Sequence, residues 1–469
     1  MKNNESIYII ILFYIISFST CIHASEKRSK LPDIEEYQLD NGMRVLISPN
    51  YDNPIVYIAL YLHAGTLDDP IDQIALAEYT FRSLNEGTSK YPREKDIKEK
   101  LFSLGSTDGE FNHFNLEDGY GYIENYFLKG DVRAGIELFS EVIINPTFPQ
   151  LGEFWPNIIL RILPKKTFIG TWNLTNTHLK NQFANRRGYL HPKYAIGYGK
   201  KKMKNWHKKY IRPKNITLMV TGDINYIYIK KLVDEYFGNW KSTEPMPERR
   251  EYPINLTENS GIKLRFINIK ERENPILRII TKGPSYNDNW HLAGNMARVI
   301  FGNRGFSSRL AMVHEKFNRY GHLYYNWALD PRLPHSIIYS ETKYSDLSKM
   351  YHEILIEFEK MKNNSITKKD LEKAKNIELN SYNNMLNNPR HFSDFIQERY
   401  NNNGYSINKI SKSWDNVEDI TLSEANNAAA KIFDPENFMI LVMGNKDSCA
   451  TFLNQFDNVE YYKHTEELR

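Results

Sequence analysis

The sequence predicts an α+β fold built of two similar duplicated domains, each a mostly antiparallel sheet packed with helices. Three observations carry that reading. First, Pro213-Lys214-Asn215-Ile216-Thr217-Leu218-Met219-Val220-Thr221-Gly222-Asp223 returns as Pro435-Glu436-Asn437-Phe438-Met439-Ile440-Leu441-Val442-Met443-Gly444-Asn445, with the Pro, Asn, Val and Gly at one constant offset of 222 residues. That period is too long for a solenoid and marks a duplicated domain. Second, short apolar runs of strand length alternate with amphipathic helical stretches in both halves. Third, a Pro- and charge-rich stretch, residues 243–261, separates them. The expected domains are therefore residues 31–242 and 262–469. In a chain of 469 residues each is long enough to bury its own core.

Taken in order, residues 1–24 read as an export signal. Lys2 precedes an almost wholly apolar run from Ile7 to Phe18, the size of a signal core and short for a bilayer span. Cleavage after Ala24 leaves the charged run Ser25 to Lys30 at the new terminus; a retained anchor is the alternative. The expected product is exported, periplasmic or secreted, and touches a membrane only through its export signal. Of the two cysteines, Cys21 leaves with the signal and Cys449 remains, so no internal disulfide is expected. A net charge of +4 gives no global field for nucleic acid. Glycosylation sequons stand at Asn173, Asn215, Asn255 and Asn363.

Asn41-Gly42 is a tight-turn dipeptide between apolar runs and predicts a hairpin. Ile55 to Leu62 predicts a second strand ending at Ala64-Gly65-Thr66. The segments Gly109 to Asn115 and Tyr122 to Phe127 predict a strand pair, and Asp131 to Ile144 a helix broken by Asn145-Pro146-Thr147-Phe148-Pro149. In the second half, Gly302 to Leu310 is a glycine-containing loop opening a helix; it lacks the Lys-Ser/Thr of a nucleotide loop. Thr367 is the expected cap of a long amphipathic helix. The run Lys200 to Lys209, with Trp206 inside it, reads either as a solvated helix face or as an attractor of acidic partners.

The stretch from Ala75 to Thr88 reads as one helix, with Leu76, Ala77, Phe81 and Leu84 on a shared face and Gly87 ending it. Its frame resembles the zinc-binding helix of pitrilysin/insulinase-type metallopeptidases: an Ala, then His-x-x-Glu-His, then Gly-Thr and Tyr-Pro. Further signatures follow the family order, from Leu39-Asp40-Asn41-Gly42 through Ala64-Gly65-Thr66, Asn112, the 145–149 run and Gly222-Asp223 to Phe306–Leu310. The resemblance implies two α+β domains in a metallohydrolase-like clam, paired subunits around a chamber, and extended peptides added to a sheet edge beside the metal.

Residue by residue, however, Glu78 stands at the first His position, Phe81 at the general-base Glu and Arg82 at the second His. In active members the two His at i and i+4 hold zinc and the Glu activates its water. The third ligand, a Glu, is implied on the helix after the 145–149 run, but no acid occurs from Phe154 to Gly222. No catalytic residue and no metal ligand is therefore expected, and zinc is expected to be absent. An ion pair of Glu78 with Arg82 is expected in place of the metal, or else both side chains turn to solvent.

For substrate the resemblance implies Asn112, His113 and Phe114. It also implies Tyr324 at the family's Tyr and His314 where its Arg belongs, with Arg319 reaching in only if the loop is re-registered. The expected function is that of a noncatalytic subunit of a peptidase complex, pairing with a zinc-bearing homologous subunit and shaping the chamber for extended peptides, with no role in nucleic-acid binding. The alternatives are a stand-alone peptide-binding or scaffold protein, and a zinc metalloendopeptidase with a rearranged site.

Overall fold

The computed structural model describes residues 31–148, 198–248 and 263–463, apart from short breaks. The export signal, the segment after Pro149 with its expected third-ligand helix, most of the 243–261 linker, Phe306 and Asn437 lie outside the described residues.

The first half holds β1 (Glu35–Gln38), β2 (Arg44–Pro49), β3 (Ile55–Leu62), β4 (His113–Leu116), β5 (Gly121–Leu128) and β6 (Ile216–Gly222). Its helices are α1 (Leu76–Arg82), α2 (Glu94–Ser103), α3 (Val132–Ile144), α4 (Lys200–Tyr210) and α5 (Tyr226–Phe237). The second half holds β7 (Lys263–Asn268), β8 (Ile276–Lys282), β9 (His322–Ala328), β10 (His335–Glu341), β11 (Met439–Gly444) and β12 (Val459–Lys463). Its helices are α6 (His291–Arg298), α7 (Arg309–Lys316), α8 (Leu347–Lys362), α9 (Lys368–Leu386), α10 (Pro389–Gln397), α11 (Ile407–Lys412), α12 (Leu422–Ile432) and α13 (Ala450–Leu453).

Each half folds into a six-stranded sheet, and the order β2-β6-β3-β5-β4 of the first recurs as β7-β11-β8-β10-β9 in the second. The repeated segment supplies β6 and β11, which hold equivalent places: each runs parallel to one neighbour and antiparallel to the other. The halves part company at one edge. There β1 joins as a hairpin antiparallel to β2, whereas β12 joins from the end of the chain parallel to β7.

Local chemistry explains the elements. Asn41 fixes the first turn twice over: its Oδ1 accepts from Met43 N at 3.0 Å, and its Nδ2 donates to Phe237 O at 2.7 Å and Trp240 O at 3.0 Å. The turn is thereby tied to the end of α5, and Gly42 takes the positive φ of 90° that it requires. Thr367 caps α9 as expected, its Oγ1 accepting from Asp370 N while Asp370 Oδ2 accepts from Thr367 N. The expected single helix from 75 to 87 is divided. It is α-helical only to Arg82 and tightens to a 3₁₀ turn over Ser83–Glu86. Helix ends tighten in this way because the last carbonyls lack intrahelical partners. The sequon at Asn215 is buried, its side chain donating to Tyr210 O at 2.8 Å, so it is no glycosylation acceptor in the folded protein.

Strand alternation sorts the two faces of the first sheet. Val45, Ile47, Val56, Ile58 and Leu60 pack against that half's own helices. The opposite face carries Leu46 and Met219, which belong to the core of the second half. Helix α10 lies against β3 and β6, followed by a π-turn over Glu398–Asn402. There Thr217 Oγ1 donates to Asn401 Oδ1 at 2.7 Å, Tyr400 OH reaches Glu36, and the Arg44 guanidinium lies 5.5 Å from the Tyr400 ring. Among the described residues no helix is long and apolar enough to cross a membrane.

Candidate functional site

Helix α1 is held at both ends. At its start the buried Asp69 accepts from Ala77 N at 2.7 Å, and Thr80 Oγ1 bonds back to Leu76 O at 2.7 Å. At its end Gly87 has extended backbone, and a Cβ there would sit 2.5 Å from Pro92 O. Beyond it, Thr88 N donates to Tyr91 O at 2.7 Å and Thr147 N to Gly87 O at 2.9 Å. Thr88 also forms a bridge with Pro146. The two signatures Gly-Thr…Tyr-Pro and Asn-Pro-Thr-Phe are therefore one construction. The exit of α1 is clamped to the exit of α3, and that clamp is independent of metal.

Phe81, at the position of the general base, is completely buried. Its ring lies 5.0 Å from Phe114 of β4 and against Gly121 of β5, where a Cβ would come within 3.0 Å of it. Phe111 continues the group to Phe139 of α3. The position that carries a water-activating carboxylate in active members is here an aromatic plug between the helix and the sheet edge. One residue on, Arg82 Nη2 meets Glu78 Oε1 at 2.8 Å, the expected i,i+4 pair. Arg82 is 66% exposed and Glu78 29%, so the pair lies on the rim and leaves the guanidinium in water.

Zinc needs three or four N, S or O donors in a tight tetrahedron. This helix offers one carboxylate, already engaged by a guanidinium, beside a ring with no donor atom. The residues of this helix alone do not make a zinc site. Among the described residues no three His, Cys, Asp or Glu side chains come together as a metal group. Glu153, the nearest acid ahead of the acid-free stretch, lies outside them.

The structure brings only some of the implied substrate residues to this place. Asn112 is exposed just before β4, and His113 and Phe114 are half-buried on it, at the edge of the sheet. Burial and the nearby Arg390 hold the His113 imidazole below its ordinary range. Tyr324 and His314 sit within the second half's own sheet and helix. Tyr324 is on the edge strand β9, stacked at 4.8 Å on Tyr339, which in turn lies under the Arg278 guanidinium. Burial pushes the Tyr324 hydroxyl upward. His314 faces Tyr320 O at 3.1 Å and closes the end of α7, while Arg319 pairs with Glu315 of that helix.

The other sequence candidates resolve as packing. A Cβ on Gly302 would fall 2.7 Å from Leu310 Cδ1 and 2.8 Å from Tyr325 Cβ, so this glycine permits close approach of two core residues. Helix α4 buries Met203, Trp206 and Tyr210, packs against α1, and leaves its lysines at the surface. What sequence reasoning missed is a buried polar group on β5, where Glu124 meets Arg390 and Asp394 of α10. The available signal was an acid in the middle of an otherwise aromatic and apolar strand.

Known proteins share this architecture. Residues 199–378 match the family model described as "Peptidase M16 inactive domain". A putative zinc protease of Caenorhabditis elegans is 22% identical over 231 residues, which is 49% of this chain and 24% of that protein. The chain thus spans only about a quarter of that relative's length. The crystal structure of a protease from Helicobacter pylori superposes with a TM-score of 0.76 at 16% identity, covering 88% of this chain and all of that one. The first half of the periplasmic protease PqqL from Escherichia coli gives 0.67 at 15% identity, covering 90% and 95%. Taken with the helix frame and the duplicated sheets, these matches show that the chain resembles the pitrilysin/insulinase-type (M16) zinc metallopeptidases in fold, with residues 199–378 matching the family's inactive-domain model.

Proposed function

We propose that this protein is a noncatalytic subunit of a pitrilysin/insulinase-type peptidase, exported, pairing with a zinc-bearing homologue and shaping the chamber in which that partner cleaves extended peptides. One observation carries the reading: Phe81 fills the base position as a fully buried core residue while the clamp around α1 is kept. A helix stripped of its ligands has no chemical reason to retain Gly87, Thr88 and the Tyr91-Pro92 turn. Retention is expected where the packing and the chamber wall still matter and the chemistry is delegated. The edge strand β4, with the exposed Asn112 just before it and the half-buried His113 on it, offers a place for an added peptide strand.

Co-expression with a homologue bearing an intact His-x-x-Glu-His tests the pairing. The expected outcome is a one-to-one complex with an interface above the ~1,600 Å² of standard size and much higher peptidase activity than the homologue alone. Elemental analysis should find zinc in proportion to the partner only. Separate elution at micromolar concentration, with activity indifferent to mixing, overturns the pairing and leaves a stand-alone peptide binder. One tightly held zinc in this chain by itself, lost on Glu78→Ala, restores the metallopeptidase alternative.

A further inference from the structure

The joint between the halves contains a charge imbalance that neither the family frame nor the proposed pairing uses. Glu124 sits in mid-β5, opposite Ala59 of β3 and His113 of β4, and is 2% exposed. Alternation turns Ile123 and Phe127 toward the first half's helices, so Glu124, Tyr122 and Tyr126 face the other way, toward α10 of the second half. That helix supplies Arg390 and Asp394, one turn apart. Arg390 Nε stands 3.5 Å from Glu124 Oε2 and 3.8 Å from Asp394 Oδ2. Asp394 thus shares that guanidinium, its charge opposes ionisation of Glu124, and Glu124 Oε2 has no hydrogen-bond partner among the described residues.

One guanidinium therefore serves two carboxylates, the buried Glu124 and the 45% exposed Asp394, so ionising Glu124 leaves a buried negative charge only partly matched. The remaining titratable groups around Glu124 do not cancel it. They are Tyr57 of β3, Tyr122 and Tyr126 of β5, and His113 of β4. Burial pushes all three tyrosines up, so they stay neutral. Burial and Arg390 push His113 down, so it is neutral at and above neutral pH. We propose that Glu124 holds a proton at the joint, making it a pH-sensitive latch between the two halves: closed while the proton is held, loosened when it leaves. Desolvation first, and then the Asp394 charge, raise Glu124 from 4.5 to about 8, so the proton departs just above neutrality.

The sign follows from linkage. A carboxyl with a raised folded pKa binds more protons folded than unfolded, so stability falls as pH rises from the unfolded value, 4.5, through the folded one, about 8. The buried His207 and His291 act in the opposite sense. Burial lowers them to about 4 and about 3, so their contribution is lost as pH falls below 6.5 and is constant above it. Cys449, raised to about 12, costs stability only as pH exceeds the unfolded value of 9.0. Between about pH 7 and 9, where ordinary side chains of both sets are quiet, the latch is isolated.

The experiment follows the thermal midpoint of the full chain from pH 6.5 to 9, together with amide exchange of residues 389–397 corrected for the chemical rate. The wild type is expected to melt at progressively lower temperature as pH rises, and α10 to exchange faster. Glu124→Gln should flatten both responses. Asp394→Asn should move the fall in stability to lower pH, because the like charge is gone. An infrared band of a protonated carboxyl, present at pH 6.5 and lost by pH 9, should be missing from Glu124→Gln. If that variant fails to fold, the band in wild type against Asp394→Asn still decides. Parallel pH curves for wild type and variants, pH-indifferent exchange in α10, or an absent carboxyl band each overturn the latch. The inference stands on the joint alone and holds whether or not the chain pairs with a homologue.

Discussion

Phe81 sets the physical character of the candidate site through one side chain. A carboxylate at this depth without a cation or metal beside it would be driven to neutrality by desolvation, whereas a ring is stabilised by burial and by Phe114 and Phe111 around it. The position thus contributes to folding through its packing. Phe81→Ala is expected to destabilise the protein by about 3–5 kcal/mol, the range for deleting a buried aromatic side chain. Glu78→Ala should cost only about 0.3–0.5 kcal/mol, as for other solvent-screened i,i+4 pairs. Chemical denaturation of the two variants checks the contrast. Equal effects would mean that the rim pair matters to stability as much as the plug.

At the scale of elements, the duplicated strands β6 and β11 show how one sequence pattern acquires different constraints. Both end on glycine, yet Gly222 has φ +126° and its missing Cβ would lie 2.1 Å from Ile55 O. Gly444 has no such conformation, and its nearest neighbours would be Cys449 Sγ at 3.1 Å and Tyr344 OH at 3.2 Å. Ile55 is where β3 begins; Gly222 O accepts from Asn50 N much as Gly444 O accepts from Ile269 N, so the copies share that bond and differ in the close approach of Gly222 to Ile55. Gly222→Ala should therefore lower the melting temperature sharply, because backbone must move against backbone. Gly444→Ala should be much milder, since a thiol and a phenol can shift by the few tenths of an ångström required. Similar melting shifts for both variants would show that the duplication is mechanically exact at these ends.

Across the whole molecule, the halves are one cooperative body more than two linked ones. Leu46 of β2 and Met219 of β6, residues of the first sheet, are fully buried in the core of the second half. Thr217 to Asn401, Tyr400 to Glu36 and the Glu124 group add polar contacts across the same joint. Calorimetry should then show a single transition. Leu46→Ala, a loss of about 2–5 kcal/mol by the usual cost of truncating a buried leucine, should shift that transition as a whole. Two resolved transitions, with only the first-half one moved, would contradict this coupling.

The sequence by itself determined the duplication, the strand at Ile55–Leu62, the Asn41-Gly42 hairpin, the Thr367 cap and the loss of the zinc-binding pattern at Glu78, Phe81 and Arg82. Each of these rests on spacing or on a local turn or cap, and such signals lie within a few residues of one another or repeat at a fixed offset. It also implied Tyr324 and His314 for substrate by family position, and the structure places both among neighbours of the second half. Only the tertiary structure decided that Gly87 is required by the carbonyl of Pro92, that Phe81 closes against Phe114, and that Asn215 is buried. It alone decided that an acid in β5 meets a helix more than 250 residues further along the chain. Those facts depend on which faces the folded sheets turn toward each other, and strand alternation fixes that a residue has a face without saying what will cover it.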